Sequence, residues 1–73
     1  MKFESSEIYK IDIIMQLQQL RISRGISQRE LARRIGVRHG TICDMENHKS
    51  SPNIDLVIKY ALTLGYKLKL DFL

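Results

Sequence analysis

Two short apolar-periodic blocks meet across a single glycine in residues 27–46, SQRELARRIGVRHGTICDME, and few packings accommodate that arrangement. The first block opens with Ser27-Gln28-Arg29-Glu30, a capping-box pattern in which the Ser27 hydroxyl and the Glu30 carboxylate each satisfy an orphan amide of the first helical turn. Leu31, Ala32 and Ile35 then recur at helical spacing and are expected to face inward. Gly36 interrupts the block, and Val37 begins a short connection into a second helical block with Ile42 and Met45 three residues apart. A small residue at Ala32 lets two helices cross closely, and Gly36 supplies the backbone freedom a tight turn needs. This is the layout of a helix-turn-helix.

The flanking blocks complete a small helical unit. Upstream, Ile13 or Ile14, Leu17 and Leu20 recur at spacings of three and four, which predicts a helix of about 17 residues with Ser5 or Ser6 as N-cap and Gly25 as its stop. Downstream, Asn53 is a suitable N-cap for a block in which Ile54, Val57, Ile58, Ala61, Leu62 and Leu64 form a broad apolar face ended by Gly65. Tyr60 reads as a boundary residue of that helix. After Gly65 the period changes to two: Tyr66, Leu68, Leu70 and Phe72 alternate with Lys67, Lys69 and Asp71, the pattern of a half-buried strand over about 66–72. A single strand has no partner within this chain, and its unpaired amides and apolar face require cover. The economical cover is the same strand of a second copy, antiparallel across a two-fold axis, with Tyr66, Leu68, Leu70 and Phe72 in the interface. The expectation is thus a mainly α fold of about four helices with one C-terminal strand paired across a homodimer.

Size and charge narrow the function. Seventy-three residues form one domain, 1–73, with little interior for a deep catalytic cleft. Twelve Lys and Arg against eight Asp and Glu leave a net charge of +4. All six arginines (21, 24, 29, 33, 34 and 38) fall within residues 21–38, where Glu30 is the only acid, so this window carries +5 and the remainder sums to −1. Focused positive charge of this kind suits an anionic partner. The lone Cys43 and the lack of an apolar leader in MKFESSEIYK point to the reducing cytoplasm, and no run is long and apolar enough to span a membrane. No Ser-His-Asp or Cys-His arrangement or glycine-rich phosphate loop presents itself, and the paired carboxylates Asp44 and Glu46 point to different faces of a helix, so catalysis is not expected. His39 and Cys43 stand four apart, a spacing open to a metal, but no third ligand is in register and neither metal nor cofactor is expected.

With these residues in place, the chain resembles the phage-repressor and Cro-like, lambda-repressor-like helix-turn-helix proteins, the XRE family. The likeness runs from about residue 17 to residue 64, through LRISRGISQRELARRIGV, TICDMEN and SPNIDLVIKYALTLG. The first-helix extension, about 5–16, and the strand lie outside that core. The resemblance implies that the second motif helix enters the DNA major groove, with base-reading positions at Arg38, His39, Gly40, Thr41 and Asp44. It implies phosphate contacts from Gln28 and the adjoining Arg29 at the start of the first motif helix, and from Asn47, Lys49 and Ser50 in the loop beyond the second. It also matches Arg21 and Glu46 to an ion pair that joins the first and third helices as scaffolding.

Three positions depart from the family pattern. Gly40 offers no side chain to a base. Asp44 is a carboxylate facing phosphate, best tolerated where it accepts from a cytosine amino group. His48 replaces a customary glycine where the chain needs a left-handed backbone. The function implied is sequence-specific double-stranded DNA binding by a dimer on a palindromic operator, as a transcriptional repressor. An alternative also follows, because a compact XRE domain followed directly by a strand resembles antitoxins that neutralise a cognate toxin protein and repress their own operon.

Overall fold

The computed structural model describes residues 3–69, with side chains from Ser6 onward. Four helices follow in chain order: α1 Phe3–Ser23, α2 Gln28–Ile35, α3 His39–Glu46 and α4 Ile54–Thr63. α1 is 21 residues long and runs unbroken from the extension into the family core. Ser5 and Ser6 therefore lie inside it, and neither caps it. The remaining boundaries follow local chemistry. Ser27 accepts the Glu30 amide at 3.0 Å and starts α2, while Asn53 accepts the Leu56 amide at 2.8 Å and starts α4. The reciprocal half of the capping box is not formed, because the Glu30 carboxylate turns along the helix to Arg33 at 2.6 and 2.8 Å. Half-buried on one face of α2, Glu30 has two cations within reach of its carboxylate.

Helix ends use left-handed residues. Gly36 closes α2 at φ 89°, with its own amide and that of Val37 both donating to the Ala32 carbonyl at 2.8 and 3.0 Å. α3 ends the same way with a non-glycine: His48 sits at φ 60°, and the Lys49 amide reaches back to the Asp44 carbonyl at 2.8 Å. The six-residue closure needs a positive φ at its penultimate position whichever residue occupies it.

The core gathers two residues from each helix, Ile14 and Leu17, Leu31 and Ala32, Ile42 and Met45, Tyr60 and Ala61, together with Leu64 just past the end of α4. Of the two isoleucines available on α1, Ile14 is the buried one and Ile13 is 44% exposed. The apolar face of α4 is wider than its contacts. Ala61 and Leu64 are buried, whereas Ile54, Ile58 and Leu62 remain exposed. Ile54 and Ile58, together with Ile13, Leu17 and Leu20 of α1 and with Tyr66 and Leu68, line an apolar groove of about 610 Å³ on the side of the molecule bounded by α1 and α4.

No strand occurs among the described residues. Residues 66–69 leave α4 as an irregular segment, anchored by the Tyr66 amide on the Ala61 carbonyl at 2.9 Å and by the Arg24 guanidinium lying 4.9 Å from the Tyr66 ring centroid. The strand expected over 66–72 is therefore not formed at 66–69, and among the described residues no second extended segment lies alongside to pair with it. Tyr66 and Leu68, expected in a dimer interface, are exposed; Leu70 and Phe72 lie outside the described residues.

Candidate nucleic-acid interface

The centre of the helix-turn-helix is a buried carboxylate. Glu46, the last residue of α3, has no exposed side-chain surface, and Arg21 of α1 grips it in a fork, Nε to Oε2 and Nη2 to Oε1 both at 2.9 Å. Tyr60 of α4 donates its hydroxyl to Oε2 at 2.6 Å, and Gln28 of α2 donates Nε2 to Oε1 at 3.0 Å. Arg21 Nη1 in turn donates to the Ile26 carbonyl at 2.8 Å, fixing the loop into α2. All four helices therefore converge on one carboxylate. Burial alone would push its pKa up, but the hydrogen bonds from Arg21, Tyr60 and Gln28 and the guanidinium charge hold it below the usual carboxylate range. Burial and the neighbouring carboxylate push the Tyr60 phenol well above its ordinary value. The Arg21–Glu46 pair matches the sequence expectation; Tyr60 does not. Far from a boundary residue, it is fully buried, and its partner lies fourteen residues away, a separation that leaves no periodic trace in sequence.

Around this centre α3 presents one exposed edge. Ile42, Met45 and Glu46 face inward, while Arg38, Gly40, Thr41 and Asp44 are exposed and His39 is half-buried. The start of the helix is open: Arg38 occupies the N-cap with no side-chain hydrogen bond to the first turn. A cap of Ser, Thr, Asp or Asn would have satisfied one of those amides. Gly40 has open space where a Cβ would stand, with no atom within 4 Å.

α2 reaches the same edge through Gln28, whose Oε1 lies 3.3 Å from His39 Nε2. The amide of Gln28 is thus engaged at both ends within the protein. One of its N–H hydrogens and the first backbone amides of α2 remain for an outside acceptor. Beyond α3, Asn47, Lys49 and Ser50 are all exposed, and Asn47 Nδ2 lies 3.3 Å from Cys43 Sγ, which occupies the thiol.

The arginine window separates by role. Arg21 is buried scaffolding, Arg24 stacks on Tyr66, and Arg33 and Arg34 share Glu30, Arg34 at 3.6 Å. Among the described residues Arg29 and Arg38 are the two arginines left without an acidic or aromatic partner, and they stand at the starts of α2 and α3. The two arginines free of such partners therefore stand at two helix N-termini, where anions are favoured by backbone amides and helix dipoles together. No group of three or more metal-binding side chains occurs among the described residues. No described helix is long and apolar enough to cross a membrane.

A helix-turn-helix family model matches residues 17–70. The chain belongs to the XRE-type helix-turn-helix family. The family is one of DNA-binding regulators and is not enzymatic, which agrees with the exposed, cation-bearing edge of α2 and α3. Among solved structures, a chain of the toxin–antitoxin module from Streptococcus pneumoniae is 32% identical, with a TM-score of 0.74 over 100% of this chain and 82% of that one. A comparison with curated proteins gives no match.

Proposed function

We propose that this helix-turn-helix protein is a cytoplasmic, sequence-specific double-stranded DNA-binding repressor that acts as a dimer on a palindromic operator. The observation that carries the reading is the open, glycine-containing start of α3, flanked by the unpaired Arg38 and Arg29 and locked to the core through Glu46. α3 enters the major groove with Arg38, His39, Thr41 and Asp44 toward base edges, and Gly40 gives the backbone its closest approach. Gln28, Arg29, Asn47, Lys49 and Ser50 hold the phosphates on either side.

Dimerisation uses the alternating C-terminal segment, with Tyr66, Leu68, Leu70 and Phe72 of two copies covering the apolar surface left beside α1 and α4. A two-fold dimer of such domains sets its half-sites about 34 Å apart, one turn of DNA. Selection of bound duplexes from a random library at two salt concentrations tests the whole reading. An enriched palindrome with half-sites repeating at about 10 base pairs, and affinity falling steeply with salt, is expected. Recovery of no motif refutes it. Sedimentation at micromolar concentration, with and without residues 66–73, tests the dimer separately, and an unchanged monomer mass in both refutes the shared segment.

The identity with a toxin–antitoxin module over the full chain favours a second role alongside the first, that of an antitoxin which binds a toxin protein and represses its own operon. Co-purification with the product of the adjoining gene, and loss of that product's toxicity, is the expected result.

A further inference from the structure

The contacts between α2 and α3 fix more than the angle at which the helices cross. We infer that Glu46, acting through Gln28, locks the His39 ring as its Nε2–H tautomer, so that Nδ1 faces DNA as a hydrogen-bond acceptor and reads a base carrying an exposed amino group. This rests on the DNA-binding reading above and adds to it the chemical class of base that His39 selects.

Donor and acceptor chemistry fixes each group in turn. An ionised carboxylate can only accept, so the end of Gln28 lying 3.0 Å from Glu46 Oε1 must be its NH2 group. That determines the amide's orientation without choice, and it leaves the amide oxygen, also acceptor-only, 3.3 Å from His39 Nε2. Two acceptors cannot share such a contact favourably, so Nε2 carries the proton. In a neutral imidazole Nδ1 then has a lone pair and no hydrogen. No group among the described residues donates to Nδ1, and His39 is the first residue of α3, at the end of the helix that the proposed docking directs toward base edges.

In the major groove the donors are the cytosine N4 and adenine N6 amino groups, whereas guanine N7 and O6 and thymine O4 only accept. A neutral Nδ1 acceptor therefore bonds the exocyclic amino group of adenine or cytosine and gains nothing from guanine N7 and O6 or thymine O4, so it favours the orientation of a base pair that turns the amino group toward it. It cannot bond a phosphate oxygen, which is also an acceptor. Gln28 and Glu46 are positioning residues here; His39 alone touches the base.

Two measurements test this, and they fail separately. Long-range imidazole nitrogen–proton correlation spectra of the DNA-free protein at about pH 8, where an imidazole is neutral, distinguish the tautomers directly. The expected result is a pyrrole-type Nε2 and a pyridine-type Nδ1 for His39, assigned by its disappearance in His39→Ala, with a mixture of tautomers in Gln28→Met. A pyrrole-type Nδ1 in the wild type overturns the lock.

Selection from a random duplex library then compares wild type with His39→Ala. The wild type should prefer one orientation of one base pair per half-site, and deleting the amino group of the preferred base (purine for adenine, 2-pyrimidinone for cytosine) should weaken its binding by about fivefold to tenfold, whereas His39→Ala should lose both effects with an unchanged salt slope. Full wild-type affinity for the amino-deleted duplex overturns the acceptor assignment, as does a salt slope reduced by about 1, which would mark His39 as a phosphate-binding cation. Failure to enrich any duplex overturns the DNA reading itself, and with it the assignment of a base, whereas the lock stands or falls on the tautomer spectra alone.

Discussion

Replacing Arg21 with Met retains most of the side chain's apolar stem and removes the cation from a carboxylate that has no exposed surface. Two charge-assisted hydrogen bonds at 2.9 Å disappear, along with the bond at 2.8 Å that ties Nη1 to the Ile26 carbonyl. Removing one partner of a buried ion pair costs about 3–5 kcal/mol, most of it the uncompensated charge left behind. A 73-residue domain has only about 4–11 kcal/mol in reserve. At about 4–8 °C per kcal/mol, the midpoint of thermal unfolding should fall by at least ~12 °C at neutral pH.

The sign of the pH dependence separates this explanation from simple loss of packing. In the wild type the Glu46 carboxyl titrates below its unfolded value, so its contribution is complete above about pH 4.3 and is lost as pH falls through the lower folded value. Without Arg21 the burial that opposes ionisation is no longer offset by the guanidinium, so Glu46 takes up its proton at higher pH than in the wild type. The destabilisation caused by Arg21→Met must therefore be largest near pH 7 and shrink as the carboxyl protonates. In the Arg21→Met background Glu46→Gln should cost little or stabilise, whereas alone it should cost about 3–5 kcal/mol, since it leaves the buried Arg21 guanidinium without its counter-charge. Urea unfolding at several pH values measures both. A penalty that is independent of pH, or an equal cost of Glu46→Gln in both backgrounds, refutes the claim that unpaired charge is the cause.

Gly40→Ala meets no atom within 4 Å and replaces the poorest non-proline helix former with the best, so it should stabilise the fold by about 0.5–1 kcal/mol while weakening DNA binding; thermal unfolding and a duplex titration read the two effects separately. His48→Gly relieves a left-handed histidine at φ 60° and should stabilise by up to about 1 kcal/mol, less the extra freedom glycine gives the unfolded chain; a loss of stability would mean that the His48 side chain holds the turn. Lys49→Ala removes an exposed cation from the loop after α3 and should weaken binding equally across sequences, lowering the salt slope by about 1; a changed site preference would make Lys49 a base reader.

The parts of the fold legible in sequence are those written by local chemistry. Ser27 and Asn53 announce helix starts because capping is a contact over three residues, and Gly25, Gly36 and Gly65 announce ends because a left-handed closure needs little steric bulk. Spacing places Ile42 and Met45 inward and leaves Arg38, Thr41 and Asp44 outward, as their burial and exposure bear out. Spacing does not decide between Ile13 and Ile14, since one stands four residues and the other three residues before Leu17, nor predict that Ile54, Ile58 and Leu62 stay exposed, since a pattern shows apolar width and not what covers it. The arginine cluster is legible as net charge and misleading as an interface. Four of its six members are engaged inside the protein by Glu46, Tyr66 and Glu30.

What sequence does not reveal is the connection between stability and recognition, because that connection runs through side chains distant in the chain. Arg21, Gln28, Glu46 and Tyr60 come from four different helices, and each satisfies a polar group that would otherwise be buried without a partner. Replacing Arg21, Glu46 and Tyr60 with apolar side chains of similar volume while keeping Gln28 should cost little stability, since desolvation offsets much of what a buried ion pair contributes. Such a core would still fold, but nothing in it would orient the Gln28 amide, and the His39 ring would lose the one contact that distinguishes its two nitrogens. In the proposed mode of DNA binding the carboxylate thus serves the fold weakly and the orientation of His39 strongly. A core substitution that preserves the melting temperature while relaxing base preference would separate those two roles.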